Sequence, residues 1–365
     1  MFKSTSRRLK PDTSILPTLV SLLFLLNACS TPEGTKPPPE KEVWQVFKQS
    51  QGTLVNNHIN AIFLDNSRRI WFATNNGVSY FAGGNWATIR DSLSSPGPGG
   101  LSYRVSCITQ GKDRSMWFGL TGGGIQRYNP NSSIAVWKRF TDPDLISDVI
   151  LSGTADVSNQ TTFGEVWFTS AQGIMQFVGA INETGTWHIF THTSTPAIPS
   201  NQVWSSENAL QDNSIWFGAQ TGGAAYSYYN LAGSLSWGSL PLPFDSKINS
   251  IAFDLHNIVW FGTENGAVAF NSQSSAFTRF DTASAGPGLR DEPVNAVTTD
   301  HQTTRWFGTE GGLVRLSDTA WTRFTAANSP LPSDTVTALA YDFNQNIWIG
   351  TINGVAVYNA AGVTF

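Results

Sequence analysis

Seven residues have types and placements from which a binding site can be assembled: Glu264, Glu310, Arg290, Asp291, Glu292, Arg104 and Trp204. Glu264 and Glu310 close two copies of one phrase, Trp260-Phe-Gly-Thr-Glu264 and Trp306-Phe-Gly-Thr-Glu310, so they hold equivalent positions. A carboxylate pair suits a polar ligand, and also glycosidic cleavage if its separation matches that chemistry. Arg290, Asp291 and Glu292 lie together in the stretch Asp281–Pro293. Carboxylates beside a guanidinium bind polar groups, hold a calcium ion through several oxygens, or form ordinary ion pairs on a solvated rim. Arg104 ends another such stretch. Trp204 stands where related segments carry Asn60, Asn249 and Asn295, which makes it a candidate to line a channel. No catalytic set or required cofactor is assigned. The histidines (His58, His188, His192, His256, His301) show no zinc-binding spacing, and no serine sits in G-x-S-x-G. Cys107 occupies the place of Ala61, Ala296 and Ala338 and reads as a small buried residue.

The elements that must position these residues follow from a tryptophan period. Trp71, Trp117, Trp167, Trp216, Trp260, Trp306 and Trp348 each open a phrase such as WFAT, WFGL or WFGT, roughly 42–50 residues apart. Around Trp348 the chain reads as three short strands, VTALAYD, IWIG and VAVY, separated by turns. A fourth, exemplified by Trp321-Thr-Arg-Phe324, precedes the next unit. The pattern predicts an all-β, seven-bladed propeller of four-stranded antiparallel blades, strands A to D from the axis outward. Trp44-Gln-Val-Phe47 sits ahead of blade 1 at the D-strand spacing, so the N-terminal strand is expected to complete the last blade and close the ring. Val363-Thr-Phe365 is a weaker competitor for that place. Asp65, Asp254, Asp300 and Asp342 lie six residues before their tryptophans, Asp113 and Asp212 four, and read as turn caps. Antiparallel order puts D–A loops and B–C turns on one face, where the seven candidate residues fall.

Composition fits this plan. Of 365 residues only 13% are charged, against about 25% usually, while 33 are glycine and 12% aromatic. The net charge of −4 argues against a nucleic-acid surface. Residues 1–28 read as a signal peptide: a basic start, then the apolar run Ile15–Leu26, too short for a bilayer span that needs about 20 residues. Leu26-Asn27-Ala28-Cys29 resembles the lipobox of bacterial lipoproteins, which implies cleavage before Cys29 and lipidation of its sulfur. Ser30 in place of aspartate favours the outer membrane, where one exists. Residues 29–42, rich in proline, form a tether reaching roughly 40 Å, and 43–365 form the propeller.

The phrases from SPLPSDTV (329–336) through D-x5-W-I-G-T to N-G-V-x-x-Y resemble the two-component regulator propeller repeat. The resemblance spans most of the chain and implies a seven-bladed extracellular domain, here in a single-propeller lipoprotein form. Family members often precede a transmembrane helix and a histidine kinase; neither is found in this sequence. The leading expectation is a non-enzymatic, lipid-anchored propeller of the bacterial cell envelope that binds a small molecule, glycan or envelope protein, with sensing as one use of that binding. The alternatives are a propeller enzyme (lyase or glycan hydrolase) and an envelope scaffold or adhesin.

Overall fold

The computed structural model describes residues 43–89, 104–129, 137–156, 164–179, 185–244, 246–282, 288–300 and 304–365. The leader, Cys29, the tether and His301 lie outside them. The described strands form seven four-stranded antiparallel sheets, as expected. Seven inner strands lie side by side in a closed circle: β2 (Ile59–Leu64), β6 (Val105–Gln110), β10 (Ser152–Asp156), β14 (Val203–Ala209), β18 (Ile248–Phe253), β22 (Val294–Thr299) and β26 (Val336–Tyr341). They open blades 1 to 7 in order. The last blade is completed by β1 (Trp44–Phe47), which pairs with β28 (Gly354–Tyr358) from Trp44 opposite Tyr358 to Phe47 opposite Val355. The competing C-terminal segment forms no strand. Instead Phe365 packs its ring on Phe81 and Trp348, at 4.7 and 5.6 Å.

Each letter of the W-F-G-T phrase has a separate physical task. The tryptophan packs, tilted or edge-on, against the phenylalanine of the next blade. Centroid distances are 6.1 Å for Trp71–Phe118, 6.2 Å for Trp117–Phe168, 5.5 Å for Trp167–Phe217, 6.2 Å for Trp216–Phe261, 5.6 Å for Trp260–Phe307 and 5.6 Å for Trp348–Phe72. At the remaining seam Ile349 replaces phenylalanine, and Trp306 packs with it and with Tyr358 at 5.5 Å. Each such pair contributes roughly 0.5–1.5 kcal/mol beyond the burial of its area. The glycine lets the next inner strand approach. A Cβ at Gly350 would meet Ile59 at 2.7 Å, and one at Gly308 would meet Val336 at 2.6 Å. The threonine hydroxyl caps the B–C turn, as where Thr351 donates to the Gly354 carbonyl at 2.8 Å and accepts from the Asn353 N–H at 3.1 Å.

The aspartates act as the turn caps the sequence suggests, and they also satisfy the buried indole. Asp342 accepts two backbone N–H bonds through Oδ1 and the Trp348 Nε1–H at 2.7 Å through Oδ2. Asp65 and Asp254 do the same for Trp71 and Trp260. Where the aspartate stands four residues ahead, a serine relays the bond. Ser214 donates to Asp212 at 2.6 Å and accepts from Trp216 Nε1 at 2.8 Å. Blade 3, which carries an insertion here, has instead the buried Glu165, held by Gln176 at 2.6 Å and by Tyr229 of blade 4; burial raises its carboxyl above the ordinary range.

Six of the inner strands carry a β-bulge at one place: Asn60, Ser106, Trp204, Asn249, Asn295 and Thr337. Five of these side chains bond to the first carbonyl or its equivalent in the next inner strand: Asn60 to Val105 (2.8 Å), Ser106 to Ile150 (2.7 Å), Asn249 to Val294 (3.3 Å), Asn295 to Val336 (3.1 Å) and Thr337 to Ile59 (2.6 Å). The last joins blade 7 to blade 1 and closes the circle.

Two outcomes test the closure. Deletion of residues 43–48 strips the outer strand from blade 7 and is expected to lower the melting temperature by several degrees; an unchanged value contradicts the lock. Thr337→Val is expected to lose about 1–2 kcal/mol in urea unfolding, because it leaves the Ile59 carbonyl without this donor, whereas Thr337→Ser keeps most of it.

Candidate functional site

The bulge ring gives the physical reason for attention to blade 4. A tryptophan at position 204 cannot make the inter-blade bond that asparagine, serine or threonine makes elsewhere. The next residue takes over: Ser205 Oγ donates to the Ile248 carbonyl at 3.0 Å. Trp204 is thereby released from the seam and lines a cavity of about 270 Å³ in the central channel. Its indole N–H is shielded and has no acceptor among the described residues.

Trp204 meets two partners at the mouth. The Lys247 ammonium lies over its ring, 4.1 Å from the centroid, a cation–π arrangement. The same Nζ is 3.0 Å from Glu264 Oε1. Lys247 immediately precedes β18, and Glu264 sits in the B–C turn of that blade, whose N–H donates to the Lys247 carbonyl at 3.3 Å. The pair is partly exposed, with side-chain exposures of 22% and 40%. A pair this open to water contributes about 0–1 kcal/mol, so a ligand displaces it at little cost.

The other candidates are dispersed. Glu292 is engaged by Arg323, Nη2 to Oε1 at 2.5 Å, and serves the loop of blade 6. Asp291 exchanges bonds with Thr282, accepting from its N–H at 3.3 Å while the Asp291 N–H donates to Thr282 Oγ1 at 3.0 Å. Arg290 and Glu310 are exposed, and neither forms an ion pair among the described residues. Arg104 precedes β6 at the position equivalent to Lys247. With burial as the larger cause, it helps hold the His58 imidazole below its usual range. Among the described residues no group of three or more His, Cys, Asp or Glu is placed to hold a metal ion. Cys107 is buried as expected, its thiol pushed up to about 12 by burial.

Two members of the site escape a reading of motifs alone. Lys247 belongs to a loop without a repeating phrase. Glu207 lies on β14, opposite Trp216 in the ladder. The matching positions opposite the other tryptophans are Phe63, Thr109, Thr154, Ala252, Thr298 and Ala340. Glu207 alone is ionisable in this layer, and aligning the inner strands on Trp204 exposes the departure. Its carboxyl lines both the 270 Å³ cavity and a second of about 610 Å³ toward the opposite face. The surface that it exposes faces the channel. Glu207 is exposed to that passage, yet seven inner strands surround it, and their desolvation lifts its carboxyl to about 7, opposed only by a bond from the Asn208 backbone.

Residues 53–76 and 330–353 match the two-component regulator propeller. No curated protein matches the sequence. Among solved structures, the chain is similar to the extracellular domain of BT3049 from B. thetaiotaomicron, assigned as a hybrid two-component system (22% identity, TM-score 0.66, covering 87% of this chain and 42% of that one). It is also similar to PorZ, a surface component of the type-IX secretion system of Porphyromonas gingivalis (17%, 0.64, 83% and 46%). Virginiamycin B lyase from Staphylococcus aureus matches over nearly its whole length (17%, 0.62, 87% and 99%). The chain thus spans less than half of each of the first two, and at these identities the likeness is one of fold. Together, the matched segments and the seven sheets identify this chain as a seven-bladed propeller carrying two-component regulator propeller repeats.

Proposed function

We propose that this protein is a non-enzymatic, extracytoplasmic binding propeller, anchored to the cell envelope through lipidated Cys29, that takes a ligand or protein partner at the channel mouth over blades 4 and 5. One observation carries the reading. At Trp204 the chain abandons a side chain that five other blades use to hold the ring, moves that task to Ser205, and turns an aromatic surface to the channel beside Lys247 and Glu264. Such an aromatic, with ionic groups that release easily, suits a glycan or an envelope peptide. The extracellular and surface settings of BT3049 and PorZ support the same address.

A screen of the purified protein against envelope glycans and envelope proteins supplies the ligand. Trp204→Asn restores the residue type used at Asn60, Asn249 and Asn295, so it is expected to leave the melting temperature within about 2 °C while weakening that ligand at least tenfold. Unchanged affinity in Trp204→Asn removes the mouth as the site. Turnover of a substrate that Glu264→Gln or Glu310→Gln abolishes would replace the binding reading with the enzymatic one. Incorporation of labelled palmitate, lost in Cys29→Ala, tests the anchor.

A further inference from the structure

We propose that the central channel holds a second, inner subsite in which Glu207 receives the organic cation of a ligand, an alkylguanidinium or alkylammonium group. This rests on the mouth at Trp204 being the entrance, and adds the chemistry of what passes it. Glu207 is the acidic residue of a layer otherwise filled by phenylalanine, threonine and alanine, and it lies where the two channel cavities meet. The Oδ1 atoms of Asn208 and Asn60 have no donor among the described residues, but both are shielded beneath the wall surface. The neutral acceptors beside Glu207 are the hydroxyl-bearing side chains that line the two cavities, Thr154 above and Thr298 below.

The other titratable groups on the channel walls are Cys107 on β6, Asp300 at the end of β22 and Tyr341 on β26. None is a cation, and none perturbs the Glu207 carboxyl. Lys247, at the mouth, is held by Glu264. A carboxylate without a counter-ion in a confined, low-dielectric passage attracts cations. Calcium would need several oxygen ligands, whereas an organic cation pairs with a single carboxylate. Trp204 and Glu207 stand three residues apart, roughly 10 Å along a strand, so a ligand whose body rests at the mouth must extend its charged end inward.

The sign of the pH effect follows from the raised carboxyl. The folded protein keeps its proton up to about 7, while the unfolded chain loses it near the ordinary value of 4.5. The folded state therefore binds more protons between those values, and Glu207 lowers stability progressively as pH rises through that window. A bound cation offsets this, so cation affinity must rise over the same range.

Calorimetric titration of the purified protein with butylguanidinium and with its neutral isostere butylurea tests the proposal. The expected result is that butylguanidinium binds at pH 8, weakens at least about tenfold at pH 5.5 as Glu207 takes up its proton, and is lost in Glu207→Gln but kept in Glu207→Asp. Butylurea is expected not to bind. Glu207→Gln is expected to melt higher than wild type at pH 8 and alike at pH 4, which also shows that it folds. Three results would each overturn the inner subsite: no butylguanidinium binding to wild type at pH 8, equal binding by Glu207→Gln, or equal melting of the two proteins at pH 8. Trp204→Asn separates the two readings. Loss of the mouth ligand with retained guanidinium binding leaves the inner subsite standing, and a mouth ligand bound unchanged by Glu207→Gln, with no guanidinium binding, removes the inner subsite alone.

Discussion

The contact between each tryptophan and the phenylalanine of the following blade is the constraint on which the molecule depends. A single four-stranded sheet cannot cover both of its faces. Here each blade buries one large indole against its neighbour, and where a glycine follows in the same phrase it removes the methyl that would keep the two blades apart. The indole carries an N–H into the core, where an unpaired donor costs about 1–3 kcal/mol. The aspartate before strand B meets that demand, directly at Asp342 and through Ser214 at Asp212. The repeat phrase is thus a set of mutually required parts. Loss of any one exposes the need for another.

A seam of this kind works only if it closes. The bond from Thr337 to Ile59 joins residues 278 positions apart, and β1 lies beside β28 at the end of the same circuit. The seam between blades 6 and 7, which receives the N-terminal strand, is the one most altered. Ile349 stands in place of phenylalanine, and Trp44, Phe324 and Tyr358 fill the space, with Trp44 4.8 Å from Tyr358 and 5.4 Å from Phe324. The joint where two distant chain segments meet is thus rebuilt from different aromatics.

Much of this was legible in the sequence because the repeat places each demand at a fixed spacing. Blade number, strand order, the closing role of Trp44–Phe47 and the cap function of the aspartates all follow from spacing and residue type. The bulge at Asn60 and its equivalents was not legible, since a bulge changes pairing without changing the hydrophobic pattern. For that reason the absence of an asparagine at Trp204 could be noticed but not explained. Glu207 was hidden for a related reason: it is one carboxylate in an ordinary strand, and its significance arises only when seven strands surround it. Of the loop acids, Asp291 and Glu292 turned out to be engaged in local structure, which their adjacency to Arg290 did not disclose.

The first strand also fixes a direction. Val43 accepts a bond from the Asn359 N–H, and the Asn359 side chain donates to Asn344 and Asn346 in the A–B turn of blade 7. Val43 therefore lies at the face opposite the mouth formed by Trp204, Lys247 and Glu264. A partner seated at the mouth therefore leaves the start of the closing strand, and the bonds that hold it to blade 7, untouched.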